Sequence, residues 1–229
     1  MGTGLNTFKH PSTFFQQHSI KGFLASHEGE ALFEYAGKAK AVGPCLEIGS
    51  YCGKSTVYIG LACKGSGNTL YAVDHHRGSE EHQLGEEYHD QALYDHGVQQ
   101  MDSFPCFRET LKLAQLEDTV IPVVASSALA LRHWQTPLGF AFIDGGHSPQ
   151  MAMDDCTGWA EKIAPGGLLA IHDIFERPED GGQGPYLGMQ AVLNSGKLSG
   201  KVSEKVSEKV SEKFITIDRI DSLAILQRQ

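Results

Sequence analysis

The chain has 229 residues, of which 41% are hydrophobic and 21% charged, and its formal net charge is -9. This length suits one domain with a sizeable core, and the absence of clustered Lys or Arg argues against a nucleic-acid partner. No apolar run approaches a membrane span, residues 1–10 hold no apolar signal core, and five scattered cysteines without a CxxC pair favour reduced thiols, so a cytoplasmic protein is expected.

The apolar patterning predicts two N-terminal helices at about 13–25 and 28–39, within a helical cap over 1–42. Strand-like runs then alternate with helical ones. Strands are expected at 45–48, 69–73, 120–124, 139–143 and 167–171. Helices are expected at about 54–63, 85–96, 103–115, 128–134, 149–163 and 186–195. Two last runs, 214–217 and 223–226, are close enough to form a hairpin. The order predicts an α/β fold: a Rossmann-like, doubly wound, mostly parallel sheet with an antiparallel C-terminal hairpin and N-terminal helices. A single domain over 1–229 is expected, with one interruption. Residues 201–212 are three copies of Lys-Val-Ser-Glu, read as a tandem duplication lengthening the connection at 201–213 into the hairpin.

The stretch from Leu46 to Ser55 concentrates the chemistry. An apolar run carries Glu47 and ends before Gly49, and Gly53 and Ser55 follow at the start of a helical run. A strand, a tight glycine turn and a helix N-terminus form a cradle for a nucleotide-like ligand. The next strand ends in Asp74, 25 residues after Gly49, where a carboxylate can accept from both ribose hydroxyls. The spacing is neither G-x-G-x-x-G nor a P-loop. It is E-x-G-x-x-x-G, which resembles the cofactor turn of class I S-adenosylmethionine (SAM) dependent methyltransferases.

Polar groups gather beyond all five strand ends: Gly49, Ser50 and Gly53; Asp74 and His75; Ser126; Asp144 and His147; and His172 and Asp173. Ligands bind at that edge in doubly wound sheets. The runs Ile143-Asp144-Gly145-Gly146-His147, Pro165-Gly166-Gly167 and His172-Asp173 together resemble a methyltransferase group. It includes bacterial sugar and macrolide O-methyltransferases and cephalosporin-hydroxylase-like proteins. The resemblance spans 45–173. It implies SAM as cofactor, held by Glu47, Gly49, Ser50, Gly53, Ser55, Asp74, His75, Ser126 and Asp144. It also implies a Mg²⁺ ion on Asp144 and Asp173, as in several members of the group. Where some members carry consecutive acids after the fifth strand, this chain has His172 before Asp173. Without an ion, those carboxylates would cap helices or hydrogen-bond the substrate.

Methyl transfer to an alcohol needs the hydroxyl proton removed, and the imidazole of His147 suits that task, with Asp144 beside it in the catalytic set. Capping the helix after Pro149, or ligating a metal, are the other readings of His147. The His- and acid-rich segment 74–96 places His82, His89 and His96 seven residues apart. It reads as a solvated helix or a lid, with a zinc pair at Glu86 and His89 as the sharper alternative. A second lid is expected at 175–186. Trp134 and Trp159 are expected in the core or beside the adenine. Two polar lids favour a hydroxylated small-molecule acceptor, a sugar first and a phenol second. A nicotinamide-dependent oxidoreductase and a SAM binder without transfer activity are the alternatives. The amphipathic N-terminal helices, with Phe14, Phe15, Phe23 and Phe33, are open to two readings, a homodimer interface or a cover over the acceptor site.

Overall fold

The structure is a computed structural model, and it describes residues 8–78, 90–146, 148–198 and 213–229. Seven strands form the main sheet: β1 (Cys45–Ile48), β2 (Leu70–Asp74), β5 (Val120–Val124), β6 (Leu138–Ile143), β7 (Ile163–Ile171), β8 (Phe214–Ile220) and β9 (Leu223–Arg228). Their order is β5-β2-β1-β6-β7-β9-β8. The first five run parallel, while β9 lies antiparallel to β7 and to β8. This is the expected doubly wound sheet with its antiparallel hairpin.

Alternation along the strands builds two cores, because successive side chains point to opposite faces. Cys45, Ala72, Phe140, Phe142, Leu168, Ala170 and Ile225 join one cluster, with α2 (Ser26–Lys38), α3 (Lys54–Ser66) and α4 (Phe104–Leu113). Leu46, Ile48, Val73, Ala141, Ile143, Leu169 and Ile171 join the other, with α6 (Pro149–Ala160) and α7 (Gly184–Leu198). Both faces are covered, so the central strands are almost wholly apolar. The buried Trp159 joins the second cluster, and Trp134 packs edge-on between Tyr71 and Trp159 at 5.1 and 5.3 Å. The core role expected of the tryptophans is the one they take.

Two expected helices differ. The first is a short α1 (Pro11–Phe15), and most of residues 16–25 follow an irregular path. Gly22 explains it. A Cβ there would sit 2.8 Å from Lys54 Cβ, and the Lys54 ammonium donates to the Gly22 carbonyl at 3.2 Å. The segment is pressed against the start of α3 as open backbone. The second difference lies at 85–96. Its described part is a 3-10 turn (Gln91–Leu93), capped by Asp90, and then β3 (Tyr94–Asp95), which pairs antiparallel with β4 (Gln100–Met101). His82 and His89, and the Lys-Val-Ser-Glu copies, lie outside the described residues. The strand β7 also starts four residues earlier than expected, directly after α6. Among the described residues, no helix is long and apolar enough to cross a membrane.

Candidate active site

Strand register brings the chemistry to one edge. Ile48 lies beside Val73 and Ile143, and Ile143 beside Ile171. Gly49, Asp144 and His172 therefore leave the sheet side by side, with Asp74 ending β2 next to them. A cleft of about 840 Å³ opens there. Gly49, Ser50, Ser55, Asp74, His75, Ser126, Asp144 and Asp173 all line it.

The glycine turn is built by close approach. Gly49 has φ 88°, and a Cβ on it would lie 2.0 Å from the Asp144 carbonyl oxygen. Only glycine lets β1 and β6 stay paired there. Gly53, at φ 91°, faces away: a Cβ would meet Thr110 at 3.0 Å and Phe107 at 3.3 Å. It seats α3 against α4, and it is not among the residues lining the cleft. Glu47 also sits behind the turn. It is fully buried and accepts from the Thr56 hydroxyl at 2.5 Å. Burial, reinforced by the nearby Asp144 charge, pushes its carboxyl up to about 7. Both residues support the turn from outside the cleft.

Asp74 clamps two loops. Its Oδ2 accepts from the Tyr51 amide at 2.8 Å and its Oδ1 from the His76 amide at 2.7 Å. Tyr51 and His76 hold left-handed backbone, φ 47° and 59°, strain that the shared carboxylate helps to offset. Each oxygen keeps a second lone pair. The buried Ser50 hydroxyl lines the cleft beside the Glu47 carboxyl, and neither it nor Glu47 Oε1 completes a hydrogen bond of normal geometry among the described residues. A buried orphan of that kind suits a polar atom of a ligand. His76 is a core histidine: its Nδ1 lies 2.8 Å from Ser103 Oγ, its ring packs between Phe104 and Phe107, and burial holds its pKa low.

The other half of the cleft is carboxylate-rich. His172 is buried, with Nδ1 3.2 Å from Asp144 Oδ1 and 3.4 Å from Asp173 Oδ1. Its Nε2 lies 3.0 Å from Oε2 of Glu28. Glu28 in turn accepts from the Ser222 amide at 3.0 Å, the Ser222 hydroxyl at 2.7 Å and the Ala25 amide at 3.3 Å. Burial alone would lower the His172 pKa, but the surrounding carboxylates outweigh it and hold the ring well above its usual range. Asp173 sits at φ 54°, a left-handed conformation that Asp tolerates better than most residues. Glu28 lies 144 residues from His172, and no local spacing announces it.

The walls come from segments that the sequence signals only in part. Lys21 to Leu24 form one side, with Phe23 69% exposed and its ring 6.1 Å from Tyr51. The expected lid at 175–186 forms another through Phe175 and 180–182. Gln183 holds it by donating to the Phe175 carbonyl at 2.9 Å. Beyond Ser126, the buried Asp155 accepts from Ser127, which also accepts from Trp159 Nε1 at 2.8 Å. His147 and the Glu86–His89 pair lie outside the described residues.

Comparison with known proteins agrees with this geometry. A family model described as a methyltransferase domain matches residues 46–174, more than half of the chain. Among solved structures, the O-methyltransferase NovP is 16% identical, with a TM-score of 0.62 over 88% of this chain and 79% of NovP. The O-methyltransferase TomG from Streptomyces achromogenes, solved with SAM, is 14% identical, with a TM-score of 0.57 over 96% and 86%. An O-methyltransferase from Bacillus cereus, solved with SAH, is 14% identical, with a TM-score of 0.57 over 99% and 94%. These structures share the fold, and the family match covers the glycine turn and all five polar strand ends: the chain belongs to the methyltransferase-domain family, on a class I sheet.

Proposed function

We propose that the chain is a SAM-dependent O-methyltransferase acting on a polar, hydroxylated small molecule, a sugar or related natural product. One observation carries the reading: a glycine turn too close to Asp144 for any side chain, the Asp74 clamp and the orphaned Ser50 hydroxyl face a single cleft. These residues fit a nucleoside with a polar tail. Asp74 offers acceptor lone pairs for ribose hydroxyls, and Ser50 offers a hydroxyl to the ligand's polar atoms. The two lysines that line the cleft are engaged by the protein, Lys54 with the Gly22 carbonyl at 3.2 Å and Lys21 with Asp90, as suits a cofactor without phosphate. When bound, SAM supplies an activated methyl group.

The chain's own part is to align and to move a proton. Asp144 lies at the junction of the turn and the carboxylate-rich half, so an acceptor there would meet both. His147, next to the cleft-lining Gly146, is the proposed proton acceptor. Phe23, Tyr51 and Phe175 give the cleft apolar walls against which an acceptor's carbon skeleton can pack. Ligand atoms of Asp144, His172 and Asp173 lie within 4.8 Å of one another. Such a set fits a divalent cation, Mg²⁺ in the resembling group, with Asp144 and Asp173 holding it. A cation held there would lower the pKa of a bound hydroxyl.

The deciding experiment is calorimetric titration with S-adenosylhomocysteine. Micromolar binding that Asp74→Ala weakens at least tenfold supports the reading, and absence of binding overturns it. A transfer assay over a panel of sugars and phenols then finds the acceptor.

A further inference from the structure

Four of the five cysteines, scattered in the sequence, meet in two pairs in the fold. The thiols of Cys45 and Cys63 lie in hydrogen-bonding contact, and so do those of Cys52 and Cys106. Cys45 in β1 and Cys63 in α3 are both wholly buried, so no solute meets them. The second pair differs. Cys52 is buried in the glycine turn, but Cys106, in the first turn of α4, is partly open to solvent. The backbones of this pair are tied as well: the Thr110 hydroxyl lies 2.7 Å from the Cys52 carbonyl oxygen and 3.1 Å from that of Cys106. Lys21, paired with Asp90, lies near both thiols. Cys52 is flanked by Tyr51 and Gly53, both in left-handed backbone, and the Tyr51 amide is one of the two that Asp74 holds.

We propose that Cys52 and Cys106 are a redox-sensitive pair, which a peroxide joins into a disulfide that draws the glycine turn out of its cofactor-binding position. The effect on the cofactor rests on the methyltransferase reading, while the bond itself does not. Cys106, the exposed thiol, reacts first. Its sulfur, as thiolate, attacks one peroxide oxygen, the O–O bond breaks, and the other oxygen leaves as water with the thiol's proton, which gives a sulfenic acid. The Cys52 sulfur then attacks the Cys106 sulfur. The S–O bond breaks, hydroxide departs with the Cys52 proton as a second water, and the S–S bond forms. Two thiols give two electrons to one peroxide, and an external dithiol reverses the step by exchange. Burial pushes the Cys52 thiol up, so it resolves the sulfenic acid beside it rather than meeting the oxidant itself. An S–S bond is far shorter than a thiol–thiol contact, so one element must yield. The helix α4 is seated by the buried Phe107 and Leu111, whereas the turn already holds Tyr51 in strained backbone. The turn therefore moves, towards α4 and away from the cleft.

The test treats the full chain with hydrogen peroxide and maps disulfides by mass spectrometry of unreduced peptides. A linked pair of peptides holding Cys52 and Cys106 is expected, with Cys45, Cys63 and Cys156 still open to alkylation after unfolding. Hydrogen exchange over residues 49–53 should quicken in the linked protein and slow again with dithiothreitol. Affinity for S-adenosylhomocysteine in calorimetry should fall about tenfold, the worth of one hydrogen bond to a charged group, and recover on reduction. Cys106→Ser should bind like the reduced wild type and keep that affinity in peroxide. Cys106→Ala takes its place should the serine variant prove unfolded by circular dichroism. Absence of the Cys52–Cys106 link overturns the proposal. So does a link that leaves either the exchange or the affinity unchanged, or a loss of affinity that dithiothreitol does not reverse. A reduced wild type that binds no S-adenosylhomocysteine removes the methyltransferase reading instead, and the link and the exchange then decide the pair by themselves.

Discussion

Oε2 of Glu28 lies 3.0 Å from Nε2 of His172, joining the second helix of the chain to the end of its fifth parallel strand. Both side chains are buried, at 4% and 6% exposure. Removing Glu28 leaves Asp144 and Asp173 to balance the ring's charge but strips the buried Nε2–H of its acceptor, which costs about 1–3 kcal/mol. Glu28→Ala should lose stability of that order in urea denaturation. Ser222→Ala, which removes one neutral hydroxyl donor, should lose about 1 kcal/mol.

Glu47 predicts a pH dependence of stability. Its folded carboxyl is raised from 4.5 to about 7 by burial. Below the unfolded value both states hold the proton. As pH climbs from 4.5 towards 7, the unfolded chain gives it up while the folded chain keeps it, so stability falls. The total is on the order of 3 kcal/mol, and the loss levels off once the folded carboxyl has ionised. Glu47→Gln should flatten that part of the profile. Denaturant melts of both proteins at pH 5 and pH 8 make the comparison, and a parallel loss in the variant would refute it.

Gly49 and Gly65 form a matched pair of substitutions. Gly49→Ala drives a methyl group into the Asp144 carbonyl and strains a left-handed backbone. A loss above about 2 kcal/mol is expected, with S-adenosylhomocysteine binding abolished in whatever folds. Gly65, inside α3, has nothing within 4 Å of a built Cβ. Gly65→Ala should therefore be neutral or stabilise by up to about 1 kcal/mol through helix propensity. Thermal melts separate the two.

Asp74→Asn tests the clamp. An amide places a donor where one of the two backbone N–H groups now donates. The 51 and 76 turns should loosen together, and cofactor affinity should fall about tenfold or more in calorimetry. Unchanged affinity would mean that the cofactor does not depend on this carboxylate.

What could be read in the sequence was local. Five aliphatic runs, each followed by a polar or glycine-rich turn, specify buried parallel strands and the edge where ligands gather, because period-two burial and turn chemistry act over a few residues. The Gly49 turn, Asp74, Asp144 and Asp173 were recognisable for the same reason. The roles of Gly53 and Glu47 were not, since a glycine or acid beside a turn looks alike whether it faces a ligand or a neighbouring helix. The path of residues 16–25 departs from the helix that the phenylalanine pattern predicts, because that pattern carries no record of the close approach of Gly22 to Lys54. Glu28 reads as an ordinary first-turn acid of α2, and it helps cap that helix. Only the packing of α2 against the sheet buries it beside His172 and Ser222, where desolvation gives an ordinary carboxylate a large part in the site. Contacts spanning 144 and 194 residues depend on the closed fold, and no local spacing encodes them.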